Sequence, residues 1–287
     1  MIIAQQARQQ LRALIEGEEC LFPASVYDPI SVRIAGELGY ELGMFGGSVA
    51  SLTVLGAPDE ILLTLSELVD QARRMTRAGS LPIICDADHG YGNSLNVMRT
   101  VEELENAGIA GLSIEDTELP RQFGNADGKR LLSVEEGVGK IKAAISARQD
   151  GSLVIVGRTD AASITNIEDV IEWLTAYEEA GADVLFAVGI KTGKQLEALS
   201  AETRAPLMLG GVPAELMDRG ELAKGRVRIC LQGHQPFAAA VQAVYDTLNA
   251  LRQGTLPADL AGVANKEMMS RLMESHAHRQ NVDAFLK

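Results

Sequence analysis

The chain has 287 residues, 46% of them hydrophobic and 23% charged, which supplies a folded core and too little charge imbalance for disorder. Lys and Arg number 26 against 39 Asp and Glu, a formal net charge of −13, and without a basic face this composition argues against a nucleic-acid partner. No run approaches the ~18 to 20 apolar residues that cross a bilayer, the N-terminal MIIAQQARQQLRALIEGEE turns polar too early for a secretory signal, and Cys20, Cys85 and Cys230 lie far apart without a CxxC pair, so a cytoplasmic protein with no membrane, disulfide or zinc-knuckle framework is expected.

Residues 5–16 read as an amphipathic helix. Eight short apolar runs follow, at 20–24, 42–45, 82–85, 111–114, 153–156, 184–188, 206–209 and 227–231. Between them lie helical patterns such as 61–77, 95–106, 134–148, 167–179 and 237–252. Gly79, Gly108, Gly181 and Gly254 are placed to accept a left-handed helix end. Strand–helix alternation means parallel strands joined by crossovers. Eight units, with no GxGxxG turn after the first strand, predict a (β/α)8 TIM-type barrel over a doubly wound sheet. The expectation is one barrel domain spanning 1–287, with an N-terminal helix and a C-terminal helical tail at about 259–278 suited to packing on a neighbouring subunit.

Barrel chemistry sits at the C-terminal ends of the strands. Four of the runs end there in polar groups: Gly46-Gly47-Ser48, Asp86-Ala87-Asp88-His89-Gly90-Tyr91-Gly92, Glu115-Asp116, and Arg158-Thr159-Asp160. A DxD after a strand also serves as a plain turn or helix cap. Glu115 on the next strand points instead to hard oxygen ligands converging on Mg²⁺. Arg158 either pairs with Asp86 or Asp160 or holds a substrate carboxylate in its planar fork. Gly46-Gly47-Ser48 is either a tight turn or a place where backbone N–H groups approach an anion. His276 and His278 fall on different helix faces, His89 lies in the acidic loop, and His234 follows the eighth run, where a helix cap and a substrate contact are both open.

The set FGGSVAS (45–51), APDE (57–60), DADHGYGN (86–93), SIED (113–116) and GRTDA (157–161) resembles the isocitrate lyase / phosphoenolpyruvate mutase superfamily from about residue 20 to 255. The resemblance implies a barrel whose eighth helix is exchanged between subunits of a homodimer or homotetramer, and a Mg²⁺ or Mn²⁺ site for 2-oxo acids. It implies Asp86 as the direct metal ligand, with Asp59, Asp88 and Glu115 acting through water. It also implies that Ser48, the neighbouring Gly46 and Gly47 amides, and Arg158 hold the substrate. The lyases of the superfamily carry a Lys-(Lys/Arg)-Cys-Gly-His loop after the Ile-Glu-Asp strand. Here that loop reads Glu118-Leu119-Pro120-Arg121-Gln122-Phe123-Gly124, with Asn125 and Lys129 further on.

Among its branches the sequence looks most like the bacterial oxaloacetate decarboxylases, in which a His after the eighth strand meets the substrate, and His234 matches it. That likeness implies loss of CO₂ from a small 2-oxo acid through an enolate. Its protonation falls to water or an acid, with His234 and Tyr91 as candidates. The alternatives are a carbon–carbon lyase on a methylisocitrate- or dimethylmalate-type acid, a phosphonopyruvate-cleaving enzyme, and a non-catalytic 2-oxo acid binder.

Overall fold

The computed structural model describes residues 2–121, 123 and 129–287. Every apolar run of the sequence lies at or beside a strand: β1 Ala24–Ser25, β2 Gly43–Phe45, β3 Ile83–Asp86, β4 Gly111–Glu115, β5 Val154–Thr159, β6 Val184–Val188, β7 Leu207–Gly210 and β8 Val227–Cys230. They pair in parallel in sequence order. Leu21, just ahead of β1, closes the circle: its N–H donates to Arg228 O at 2.8 Å, and Cys230 N–H donates to Leu21 O at 2.9 Å. The fold is a (β/α)8 barrel.

Strand side chains alternate between two faces, and the apolar residues divide accordingly. Met44, Ile84, Val154, Val156, Val184, Met208 and Ile229 fill the barrel interior together with Ala7, Leu11 and Ile15 of the helix Ile2–Glu16. That helix stoppers the end of the barrel where the strands begin. Cys85, Leu112, Ile155, Leu185 and Leu209 face outward into the larger core beneath the surrounding helices. Arg8 fastens the stopper: Nε donates to Ile109 O at 3.2 Å and Nη1 to Asp150 at 3.0 Å, with buried Glu105 alongside. The opposite end, where the strands finish, is left to polar side chains.

Local rules explain where helices depart from the pattern. The helix expected from residue 61 starts as Leu65–Thr76, because Thr64 caps it and Glu67 returns the bond, while Ile61 has φ +56°. Gly108, Gly181 and Gly254 take positive φ as expected; Gly79 does not, and the helix before it ends at Arg77 in ordinary right-handed geometry. The expected continuous tail is two helices, Lys266–Leu272 and Ser275–Phe285. Arg33 takes the Leu272 carbonyl at 2.8 Å and pairs with Glu274, whose φ of +52° breaks the run. The helix Gln235–Arg252 buries none of its residues and exposes Val241, Val244, Tyr245, Leu248 and Leu251 along one helical stripe.

Candidate active site

Strand register assembles the polar groups. Phe45 pairs with Cys85, Asp86 with Ser113, and Glu115 with Arg158, so the residues at and just past these strand ends share one layer at the barrel mouth. They line a cavity of about 310 Å³. The nine residues that the sequence assigned to metal or substrate all lie in its wall: Gly46, Gly47, Ser48, Asp59, Asp86, Asp88, Glu115, Arg158 and His234. Met44, Phe186, Val188 and Leu231 form an apolar side. Tyr91 is not among the residues of the wall; its ring lies against His89, centroids 5.9 Å apart, and its buried hydroxyl makes no hydrogen bond among the described residues. Gln122, Gly124 and Asn125 lie outside the described residues. His276 and His278 sit on the exposed helix Ser275–Phe285.

Arg158 is the hub, and its pairing is wider than either sequence alternative. Nη1 reaches Asp86 at 2.7 Å, Nη2 lies 2.8 Å from Glu115 and 3.1 Å from Asp160, and Nε donates to Asp160 at 3.3 Å. Among the described residues, one Nη1–H and one Nη2–H of its five donors make no hydrogen bond. Phe186 backs the guanidinium at 5.5 Å. Burial opposes the charge, but the three carboxylates outweigh it and hold the Arg158 pKa well above its ordinary value. Asp160 is held below the usual carboxylate range against burial by Arg158 and by Lys129, whose ammonium rests on it.

The glycines answer a different need from the one the sequence suggested. A methyl group on Gly46 would lie 2.7 Å from His234 Cε1 and 2.8 Å from Nε2; one on Gly47 would lie 2.5 Å from Asp88 Oδ1. At both positions another cavity side chain, His234 or Asp88, occupies the space a β-carbon would need. The anion reading keeps its geometry too, since the helix Gly47–Leu55 begins at the cavity with no side-chain cap on its first N–H groups. His234 does not cap the helix it precedes; its Nδ1 lies 2.8 Å from Ser25 Oγ, at the end of β1. Burial lowers its pKa against the pull of Asp86 and Asp59, favouring neutral imidazole.

The donor set fits a divalent cation. Among the described lining residues, Asp59, Glu60, Asp86, Asp88 and Glu115 face three cationic side chains, Arg121, Lys129 and Arg158. Burial, then the charges of Asp86, Glu115 and Asp59, push the Asp88 carboxyl well above its usual range. Burial first, then Asp86, also raises Asp59. Glu115 is pushed up to about 7 by burial, and its buried Oε2 makes no hydrogen bond although Arg158 is close. Such crowding of carboxylates is relieved by a bound cation. Among the described residues no three His, Cys, Asp or Glu side chains close a coordination shell by themselves, so water or ligand oxygens are needed to complete one. Asp86 is held by neighbours on both oxygens: Oδ1 accepts from Ser113 Oγ at 2.9 Å and from Asp88 N–H at 3.2 Å, and Oδ2 accepts from Arg158 Nη1. Asp88 itself has φ +48°, a conformation costing about 1–3 kcal/mol and concentrated at functional sites.

Sequence reasoning did not single out Ser25 or Phe186, named Asp160 only as a candidate partner of Arg158, and left Lys129 without a role. Asp160 was visible in the GRTDA run. Nothing local marked Ser25, which meets its partner 209 residues away.

Comparison with known proteins places this geometry in a family. Residues 11–252 match the phosphoenolpyruvate phosphomutase family model. The chain is 57% identical over 283 residues to an oxaloacetate decarboxylase of Bradyrhizobium diazoefficiens, covering 98% of each. Among solved structures it resembles oxaloacetate acetylhydrolase bound to 3,3-difluorooxalacetate, with a TM-score of 0.86 and 29% identity over 98% of this chain and 97% of that one. It likewise resembles phosphonopyruvate hydrolase with oxalate and Mg²⁺, with a TM-score of 0.88 and 26% identity over 98% and 99%. Fold, cavity and sequence agree that the chain belongs to the phosphoenolpyruvate phosphomutase family.

Proposed function

We propose that the protein decarboxylates oxaloacetate to pyruvate and CO₂ with the help of a divalent cation, Mg²⁺ or Mn²⁺. The observation that carries this reading is the 57% identity over essentially the whole length to an oxaloacetate decarboxylase; the structural neighbours with other activities stand at 26% and 29%. In the reaction the C3–C4 bond breaks, its electron pair forms the C2–C3 double bond, and the C2 carbonyl oxygen takes up negative charge as CO₂ leaves. The resulting enolate is then protonated at C3 by water.

Asp86, Asp59, Asp88 and Glu115 would hold the cation. When bound, the ion supplies Lewis-acid stabilisation of the oxygen charge that develops at C2. The protein's own groups do the rest. The free Nη1–H of Arg158, the Ser48 hydroxyl and the first N–H groups of Gly47–Leu55 bind the C1 carboxylate. Asp160 and Glu115 keep the Arg158 fork turned toward Asp86. Met44, Phe186, Val188 and Leu231 offer the departing carboxylate little solvation, which favours neutral CO₂ over the anion. His234, whose Cε1–Nε2 edge lies over Gly46 in the cavity wall, contacts the C4 carboxylate or the developing enolate.

The stripe left open on Gln235–Arg252 supports a homodimer or homotetramer that exchanges this helix. Among the described residues no helix is long and apolar enough to cross a membrane, in keeping with a cytoplasmic enzyme.

Pyruvate formation from oxaloacetate, measured against free Mg²⁺ at the same concentration, tests the assignment. Turnover should exceed that background, vanish with chelator, and fall roughly 10²- to 10³-fold in Arg158→Lys. A rate equal to the free-ion background overturns it.

A further inference from the structure

His234 is held by a partner that its own loop does not supply. Ser25 is the last residue of β1 and only 8% exposed. Its Oγ lies 2.8 Å from His234 Nδ1, across the seam where the barrel closes. The opposite edge of the ring, Cε1–Nε2, lies over Gly46 at the cavity wall. The imidazole is thus fixed at two points: a hydrogen bond behind, and a glycine in front that leaves just enough room for it.

Proton bookkeeping then sets the tautomer. A serine hydroxyl has one proton to donate, and a neutral imidazole has one N–H and one acceptor nitrogen. Among the described residues Ser25 Oγ has no acceptor other than His234 Nδ1. The Nε2 edge borders a cavity walled by Asp59 and Asp86, whose negative charge favours the ring proton on that side, and Nδ1 then accepts the hydroxyl proton. What the other nitrogen bonds to decides which face of an imidazole does the chemistry.

We propose that Ser25 is a positioning residue that fixes His234 as the Nε2–H tautomer, so that a neutral imidazole presents a hydrogen-bond donor to the oxygen of the substrate that gains negative charge. This role rests on the decarboxylase reading of the cavity. It makes His234 an oxyanion donor that needs no protonation of its own, and it gives the site specificity for a ligand with an anionic oxygen beside Gly46. A donor that acts mainly on developing charge affects turnover more than ground-state binding. Losing an outer hydrogen bond that orients a functional imidazole typically costs about 10- to 100-fold.

The experiment combines ¹⁵N imidazole correlation spectra with steady-state kinetics on the full-length enzyme with Mg²⁺. The His234 signals are assigned by their loss in His234→Gln. The wild type should show a single Nε2–H tautomer. Ser25→Ala should show a mixed or inverted tautomer and a kcat lower by about 10- to 100-fold, with KM changed less than about twofold. Ser25→Thr keeps the hydroxyl and should restore both the spectrum and kcat. In the His234→Gln background, Ser25→Ala should cost nothing further. An Nδ1–H tautomer in the wild type overturns the proposal, and so does a Ser25→Ala enzyme with unchanged spectrum or unchanged kcat. The wild-type tautomer is read without turnover, so it decides the matter even where a Ser25 variant does not fold. Failure of the decarboxylase reading shows separately, as wild-type enzyme no faster than free Mg²⁺.

Discussion

Gly46→Ala tests the claim that the glycine exists to seat His234. Gly46 has φ −80° and ψ 151°, which alanine adopts freely, so the substitution strains no backbone. The cost arises between side chains. The new methyl would stand 2.7 Å from His234 Cε1, whereas carbon atoms rest at about 3.5–4.0 Å, so the ring must retreat by about 1 Å. Overpacking of this kind costs about 1–3 kcal/mol, which in a domain of this size lowers the melting midpoint by several degrees at most. The effect on catalysis is larger, because a displacement of about 1 Å at a reacting group is worth roughly 10²-fold in rate. Initial rates with oxaloacetate and Mg²⁺ at 25 °C, well below the midpoint, should fall roughly 10²-fold. In a His234→Ala background the methyl meets no ring, so adding Gly46→Ala should change the rate by less than about twofold, a clear departure from additivity. A folded Gly46→Ala enzyme with wild-type rates, or an equal loss in both backgrounds, refutes the reasoning.

Arg8→Met removes the cation beside buried Glu105 at the far end of the barrel from the cavity, and should destabilise by about 3 kcal/mol while leaving kcat at 25 °C unchanged; a thermal melt unaffected by the change contradicts the fastening role. Burial pushes the Cys20 thiol up to about 11 and the Cys230 thiol up to about 12, so at pH 8 at most about one thousandth of either is thiolate, and iodoacetamide should label them only after denaturation. Because an unfolded thiol ionises near pH 8.5 and the folded ones do not, the stability these groups contribute is complete below that pH and is lost as pH rises toward 11; a melting midpoint constant from pH 8 to 10.5, or rapid native labelling, contradicts the burial argument. Leu248→Glu places a charge in the open stripe of Gln235–Arg252 and should dissociate the oligomer in sedimentation equilibrium; a wild-type monomer removes the basis for helix exchange.

Much of this architecture is legible in the sequence because parallel strands buried on both faces are near-continuous apolar runs. Four of the runs end where polar residues begin, and in a barrel that boundary is the active face. For the same reason the carboxylates, Arg158 and His234 could be named before their distances were known. Local signals also carried more than was used: Thr64-Leu65-Ser66-Glu67 is a capping box that fixes the helix start. What sequence order hides is contact across the barrel. Ser25 gains meaning only when β1 closes against β8 and brings His234 to it. Gly46 and Gly47 read as a tight turn or an anion-binding backbone, and the further steric reason for them shows only when His234 and Asp88 are seen in the space their missing side chains leave. The break at Glu274 depends on Arg33, 241 residues earlier, taking a carbonyl from the end of the preceding helix.

Product partition from oxaloacetate labelled with ¹³C at C4 tests the central claim most directly. The structural neighbour oxaloacetate acetylhydrolase is known in complex with its product oxalate, so the same substrate distinguishes two outcomes. In the presence of Mg²⁺, the account predicts that all label converted by enzyme appears as CO₂ and bicarbonate, with unlabelled pyruvate formed in equal amount. Label appearing in acetate, with oxalate as the co-product, would show that the C2–C3 bond is broken and would contradict it.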